Sequence, residues 1–190
     1  MNRFELVKNI IENIENGVFV EIGTHEGGFA NHILANSKNS VLYCVDPYIS
    51  YNDYDDGINN VTGDWLYNKT RAHLTSLYGE RVKFIRKFSE EAWSDIPEGI
   101  DFLYIDGNHD YTYVTKDLEL YYPKVKDNCY IVGDDAVDTD ENKRDAKGNV
   151  LVTWSPGCYG NYGVIKSFRD FCLKNTLNGE IVGNQYVIKK

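Results

Sequence analysis

The chain has 190 residues, 42% of them apolar, four cysteines, 15 tyrosines and a net charge of −9, which suits one domain with a sizeable core. No apolar run nears the roughly 20 residues of a membrane span, and the start Met1-Asn2-Arg3-Phe4-Glu5-Leu6 lacks the apolar stretch of a signal peptide. No basic stripe of the kind that marks a nucleic-acid binder is visible. Cys44, Cys129, Cys158 and Cys172 have no metal-type spacing, which points to a reducing compartment, the cytosol.

Phe4, Val7, Ile10, Ile11 and Ile14 recur at helical spacing and predict a helix over 3–15. Residues 18–22 read as a strand. Residues 28–36 read as a helix with Phe29, Ile33 and Leu34 inward, and 41–45 as a second strand. A polar, tyrosine-rich loop is expected over 48–63. A helix over 64–78, with Leu66, Leu74 and Leu77 inward, precedes a third strand at 82–85. Ser89 then caps a short helix, or flanks a ligand ring together with Lys87 and Phe88. A fourth strand at 100–105 is followed by a helix over 111–122 with Val114, Leu118 and Tyr122 on one face. Residues 129–132 form the fifth strand. A long loop over 138–162 has the length of a lid. A helix over 164–173 turns Val164, Ile165, Phe168 and Phe171 inward. Residues 180–182 and 185–188 flank Gly183-Asn184, a hairpin signal.

The first five strands are continuously apolar, as strands buried on both faces are. Alternation of strands and helices predicts one α/β domain over 1–190. It is a three-layer α/β/α, Rossmann-like arrangement around a mostly parallel seven-stranded sheet, closed by an antiparallel hairpin. In such sheets ligands bind beyond the carboxyl ends of the strands. There the sequence places Glu21, Asp46, Ser89, Asp106 and the pair Asp134–Asp135. The turn after the first strand is Glu-x-Gly-x-x-x-Gly, not the G-x-G-x-x-G of dinucleotide binders. Gly23 and Gly27 are expected to let backbone approach a ligand closely. A carboxylate at Asp46 can accept from both hydroxyls of a ribose.

Asp106, Asp134 and Asp135 would repel one another unless a hard divalent cation sat among them. The bland alternative is that one of the pair caps a turn. His109 either takes a proton from an acceptor hydroxyl or caps the helix that follows. His25 reads as pocket-lining or solvated. Tyr48, Tyr51, Tyr54, Trp154, Tyr159 and Tyr162 are candidates for an acceptor wall.

Three segments carry a family resemblance: Val20-Glu21-Ile22-Gly23-Thr24-His25-Glu26-Gly27, Asp101-Phe102-Leu103-Tyr104-Ile105-Asp106-Gly107-Asn108-His109-Asp110-Tyr111, and Tyr130-Ile131-Val132-Gly133-Asp134-Asp135. The closing Gly183-Asn184-Gln185-Tyr186-Val187-Ile188-Lys189 agrees. The chain resembles the class I S-adenosylmethionine (SAM) methyltransferases, in the group that includes macrocin-type O-methyltransferases of macrolide sugars. The resemblance implies SAM held by Glu21, Gly23, Thr24, Gly27, Asp46, Pro47, Ser89 and Asp106. It implies magnesium or another hard cation at Asp106, Asp134 and Asp135, and catalysis by His109 with Asp106. In some relatives an acid at the place of Asn108 is the base, and an amide cannot serve so. The implied acceptor is a hydroxylated, sugar-like small molecule rather than nucleic acid or membrane, and a homo-oligomer is expected. A SAM- or nucleotide-binding module without methyl transfer, and an NAD-dependent oxidoreductase, are the alternatives.

Overall fold

The computed structural model describes residues 1–49, 60–136, 150–155 and 158–190. Its centre is a seven-stranded sheet in the order β3-β2-β1-β4-β5-β9-β8. The strands are β1 (Val18–Ile22), β2 (Val41–Val45), β3 (Val82–Ile85), β4 (Ile100–Ile105), β5 (Val125–Gly133), β8 (Gly179–Val182) and β9 (Gln185–Lys189). β1 to β5 pair in parallel, and β9 joins β5 and β8 antiparallel. A separate antiparallel pair consists of β6 (Val150–Ser155) and β7 (Cys158–Tyr162). The helices are α1 (Arg3–Ile11), α2 (Gly28–Ala35), α3 (Asn60–Tyr78), α4 (Ser89–Ala92), α5 (Tyr111–Tyr121) and α6 (Val164–Asn175).

The strands alternate their side chains between two apolar layers. Phe19, Phe102 and Tyr104 pack with Val7, Ile11, Phe29, Ile33 and Leu74 of α1, α2 and α3. Val20, Ile22, Leu103 and Ile105 pack with Val114, Leu118, Phe168 and Phe171 of α5 and α6. Each such side chain, withdrawn from water, contributes about 1.5–3 kcal/mol. Both faces are covered, which explains the uninterrupted apolar runs.

Several elements depart from their sequence reading. α1 ends at Ile11, with Glu12 as its C-cap, because the chain must turn through the left-handed Asn16 to enter β1. α3 starts at Asn60. Its inward stripe is Leu66, Thr70 and Leu74 at four-residue steps, continued by the partly buried Tyr78, so Leu77 falls off it and stands 55% exposed. β5 starts at Val125, four residues early; Lys126, Asp127 and Asn128 are polar and exposed, so no apolar run marks this part of the strand. α5 buries Tyr121; Tyr122 lies in the following tight turn and packs its ring on Phe171. The expected loop over 138–162 contains the β6–β7 hairpin, whose β-branched Val150, Val152 and Thr153 suit a strand. Tyr51 and Tyr54 lie outside the described residues.

Candidate active site

The strand tips are joined by a single row of hydrogen bonds that extends the parallel ladder by one residue. Gly23 N–H donates to Val45 O, Asp46 N–H to Ile85 O, Asp106 N–H to Ile22 O and Asp134 N–H to Ile105 O. Each functional residue is thereby fixed against the end of the neighbouring strand. This is why acids far apart in sequence share one edge of the sheet.

The turn after β1 is held from several sides. The Asp46 carboxylate accepts from the backbone N–H of His25 at 2.8 Å and of Tyr48 at 2.7 Å, one on each oxygen. The His25 carbonyl accepts from Tyr48 Oη and Thr70 Oγ1. Tyr48 is thus a fully buried brace, packed on Leu66 and Tyr67, and not part of an open acceptor wall. Gly23 has φ +88°, and a Cβ there would lie 2.0 Å from Asp106 O. A Cβ on Gly27, at φ +74°, would meet Thr70 and Leu74. Both glycines are required by the protein's own packing, and Gly23 also lines the cleft.

Beyond this turn opens a cleft of about 460 Å³, within the usual range for small-molecule sites. Of the sequence-predicted residues, Gly23, Thr24, Asp46, Pro47, Ser89, Asp106 and His109 line it. Glu21, Gly27, Asp134 and Asp135 are not in its lining. His25 is exposed and lines it, as read from the sequence. Glu21 is fully buried, and its Oε2 and the Thr24 Oγ1 have no hydrogen-bond partner among the described residues. Burial, reinforced by the charges of Asp106 and Asp46, holds the Glu21 pKa well above the carboxyl range, although Thr24 and Arg3 oppose it. Two orphaned polar atoms beside a turn that borders the cleft are what a polar ligand would complete. The N-terminus of α2 opens on the same space through Gly28 and suits a ligand carboxylate. These residues fit SAM.

At the other side of the cleft the imidazole Nε2 of His109 lies 3.1 Å from Asp135 Oδ2 and 3.6 Å from Asp106 Oδ1. One donor atom from each of these three residues lies within 4.8 Å of the others, a set able to grip a divalent ion. Burial tends to lower the His109 pKa, but Asp106 and the charges of Asp135 and Asp134 outweigh it and raise it. Burial pushes Asp135 up to about 6 and raises Asp106, in both cases against the lowering effect of His109. The N-cap of α5 is Asp110, so His109 is not the cap. Its carbonyl accepts from Gly163 N–H at 2.7 Å. Asn108 Oδ1 accepts from Asp110 N–H, which makes it a turn former.

Asp134 differs from its expected role. Its Oδ1 accepts from Gln185 Nε2 at 2.6 Å and from Asp135 N–H at 2.8 Å, and its Oδ2 from Tyr104 Oη at 3.1 Å and from Arg3. A carboxylate has about four acceptor positions, and all are in use. The structure therefore supplies Asp106, Asp135 and His109 for a metal rather than Asp106, Asp134 and Asp135. Ser89 also changes role: Phe88 is the N-cap of α4, and Ser89 Oγ donates to Asp117 Oδ1.

Sequence reasoning missed Arg3 and Asp117, which both line the cleft, and Tyr104 and Gln185, which hold Asp134. Asp117 left a signal, an acid on the apolar stripe of α5 one residue before Leu118. Arg3 left none, because a basic residue in the first turn of a surface helix is ordinary.

The sheet order, parallel except for the antiparallel last strands, is that of a class I methyltransferase fold. Residues 20–136 match the family described as Methyltransferase domain, and the chain belongs to that family of SAM-dependent methyltransferases. Uncharacterized protein R132 of Acanthamoeba polyphaga mimivirus is 34% identical over 146 residues, 71% of this chain; the chain spans 61% of that relative's length. The O-methyltransferase NovP superposes with a TM-score of 0.68 at 16% identity, over 99% of this chain and 79% of its own. An rRNA methylase from Streptococcus thermophilus gives 0.60 at 8% identity, over 98% and 93%. At these identities the likeness to the solved structures is one of fold. No helix among the described residues is long and apolar enough to cross a membrane.

Proposed function

We propose that this chain moves a methyl group from SAM to a hydroxyl of a small molecule, a sugar or polyol of the kind macrocin-type enzymes use, in the cytoplasm. The observation that carries this reading is the His109 imidazole, set between Asp106 and Asp135 on the wall of the cleft that Asp46 also lines. The match to a methyltransferase family supports methyl transfer, and NovP, an O-methyltransferase, shares the fold. The net charge of −9 favours a neutral or cationic acceptor over nucleic acid.

When bound, SAM supplies an electrophilic methyl group and a divalent cation acidifies the acceptor hydroxyl. Asp46, held by the backbone N–H groups of His25 and Tyr48 on the wall of the cleft, would accept from the ribose hydroxyls. Thr24 in the cleft wall, with Glu21 buried behind it, would take up the polar end of the methionine part. With a cation held by Asp106 and Asp135, the His109 imidazole would take the acceptor proton, and the two carboxylates beside it would stabilise the imidazolium that results. Most of the rate gain comes from holding the two reacting atoms together at roughly 3–3.5 Å.

The test is incubation of the protein with SAM, Mg²⁺ and a panel of sugars, polyols and catechols, with S-adenosylhomocysteine read by mass spectrometry. Product that depends on the acceptor is expected. His109→Gln is expected to lower turnover by about 10²–10⁴-fold while SAM still binds. Tight SAM binding without product from any acceptor would favour a binding module instead.

A further inference from the structure

Arg3 is the first residue of α1 and lines the cleft. Its guanidinium reaches into the acidic centre, on Asp134 Oδ2 and 3.4 Å from Asp106 Oδ2. We propose that Arg3 is the resident cation of this centre, and that a divalent metal gains Asp134, and the full negative charge of Asp106, only when Arg3 withdraws. The inference rests on the reading of Asp106 and Asp135, beside His109, as a metal seat; it does not depend on which acceptor is methylated.

The arrangement is built, not incidental. The guanidinium lies 5.3 Å from the Phe4 ring centre and 5.1 Å from that of Phe29, which gives it two aromatic faces. The helix that carries it starts with a full capping box, Asn2 with Glu5. His32 Nε2 lies 2.8 Å from the Phe4 carbonyl and ties that start to α2. Of the four donors on Asp134, the Asp135 N–H is backbone, and Tyr104 and Gln185 are buried. Arg3 alone stands 38% exposed at its side chain and is the one donor free to leave. The vacated position on Asp134 Oδ2 and the nearby Asp106 Oδ2 are then open to a hard cation. With Arg3 in place, an incoming dication meets a like charge beside Asp106. Metal loading and the docking of α1 are thus coupled, and by linkage each weakens the other.

The test is a Mn²⁺ titration of the full chain, with free Mn²⁺ read by electron paramagnetic resonance, on the wild type and Arg3→Met. Met keeps the apolar stem and removes the charge. At least tenfold tighter Mn²⁺ binding is expected in Arg3→Met. Equal or weaker binding in the variant, or no binding in either protein, overturns the proposal. S-adenosylhomocysteine binding, measured by calorimetry on the same samples, reports separately on the methyltransferase reading. A second measurement needs no variant: amide hydrogen exchange of residues 3–11 in the wild type, with and without saturating Mn²⁺. Faster exchange with Mn²⁺ supports release of Arg3. Unchanged or slower exchange while Mn²⁺ is bound overturns it.

Discussion

Asp117 is buried on α5 and lines the cleft, with only the Ser89 hydroxyl hydrogen-bonded to its carboxyl among the described residues. Burial pushes its pKa from 3.8 up to about 7, against the lowering effects of Ser89 and Lys116. The folded chain therefore holds a proton here that the unfolded chain has released between about pH 4 and 7. The raised pKa sets the sign: this contribution is fully present below about pH 4 and is lost as pH rises through about 7. Three units at ~1.36 kcal/mol each make the loss roughly 4 kcal/mol at most. Asp117→Asn removes the titration, so it is expected to be more stable than wild type at pH 8, with the advantage shrinking toward pH 4. Urea denaturation of both proteins at pH 4.5, 6 and 8 checks this; parallel pH profiles would mean that Asp117 ionises freely in the folded state. At this scale the sequence was legible where a residue type has one reason to stand at a strand tip, as at Asp46 and Asp106. It misled where several donors converge from afar. Nothing near Asp134 in the chain announces Arg3, Tyr104 and Gln185, which come from an N-terminal helix, a neighbouring strand and the last strand.

At the scale of elements, the strands and helices of the parallel half were legible because burial on both faces leaves long apolar runs. The ends were less so, since an end is decided by what it packs against. β5 shows this, with exposed polar residues at 126–128 inside a continuous strand. The β6–β7 hairpin was hidden in a span that composition marks as loop, and it has a direct bearing on the site. Gly163, between β7 and α6, donates its N–H to His109 O, and a Cβ on it would lie 2.1 Å from Tyr111 N. The hairpin thus returns to the molecule against the segment that carries the imidazole. Gly163→Ala must push residues 109–111 away. It is expected to destabilise the fold by about 1–3 kcal/mol and to lower acceptor turnover more than it lowers S-adenosylhomocysteine affinity. Gly28→Ala is the stability control, because open space surrounds its Cβ position; it is expected to stay within about 0.5 kcal/mol of wild type. Equal effects of the two substitutions on stability would deny the close packing at Gly163.

At the scale of the whole molecule, the sheet's two faces are fully covered while its carboxyl edge gathers buried or half-buried acids. Asp46, Asp106, Asp134 and Asp135 all lie at that edge. Concentrating like charge where water is scarce costs stability, and a cationic ligand recovers part of it by bringing positive charge and hydrogen-bond donors to that edge. SAM carries a sulfonium and an ammonium and is suited to do so, whereas NADH brings a pyrophosphate and is not. A ligand that binds only the folded state adds RT ln(1 + [L]/Kd), about 2.7 kcal/mol at a hundredfold excess over Kd. For a chain of this size each kcal/mol moves the melting temperature by about 2–4 °C, so saturating SAM is expected to raise it by roughly 5–10 °C. S-adenosylhomocysteine lacks the sulfonium charge, so its Kd is higher on this argument and it is expected to raise the melting temperature less at the same concentration, and NADH not at all. Differential scanning calorimetry at matched ionic strength reads all three. An upward shift with NADH equal to that with SAM would show that the edge selects for the shared adenosine and not for the cation, and the charge argument for this cleft would fail.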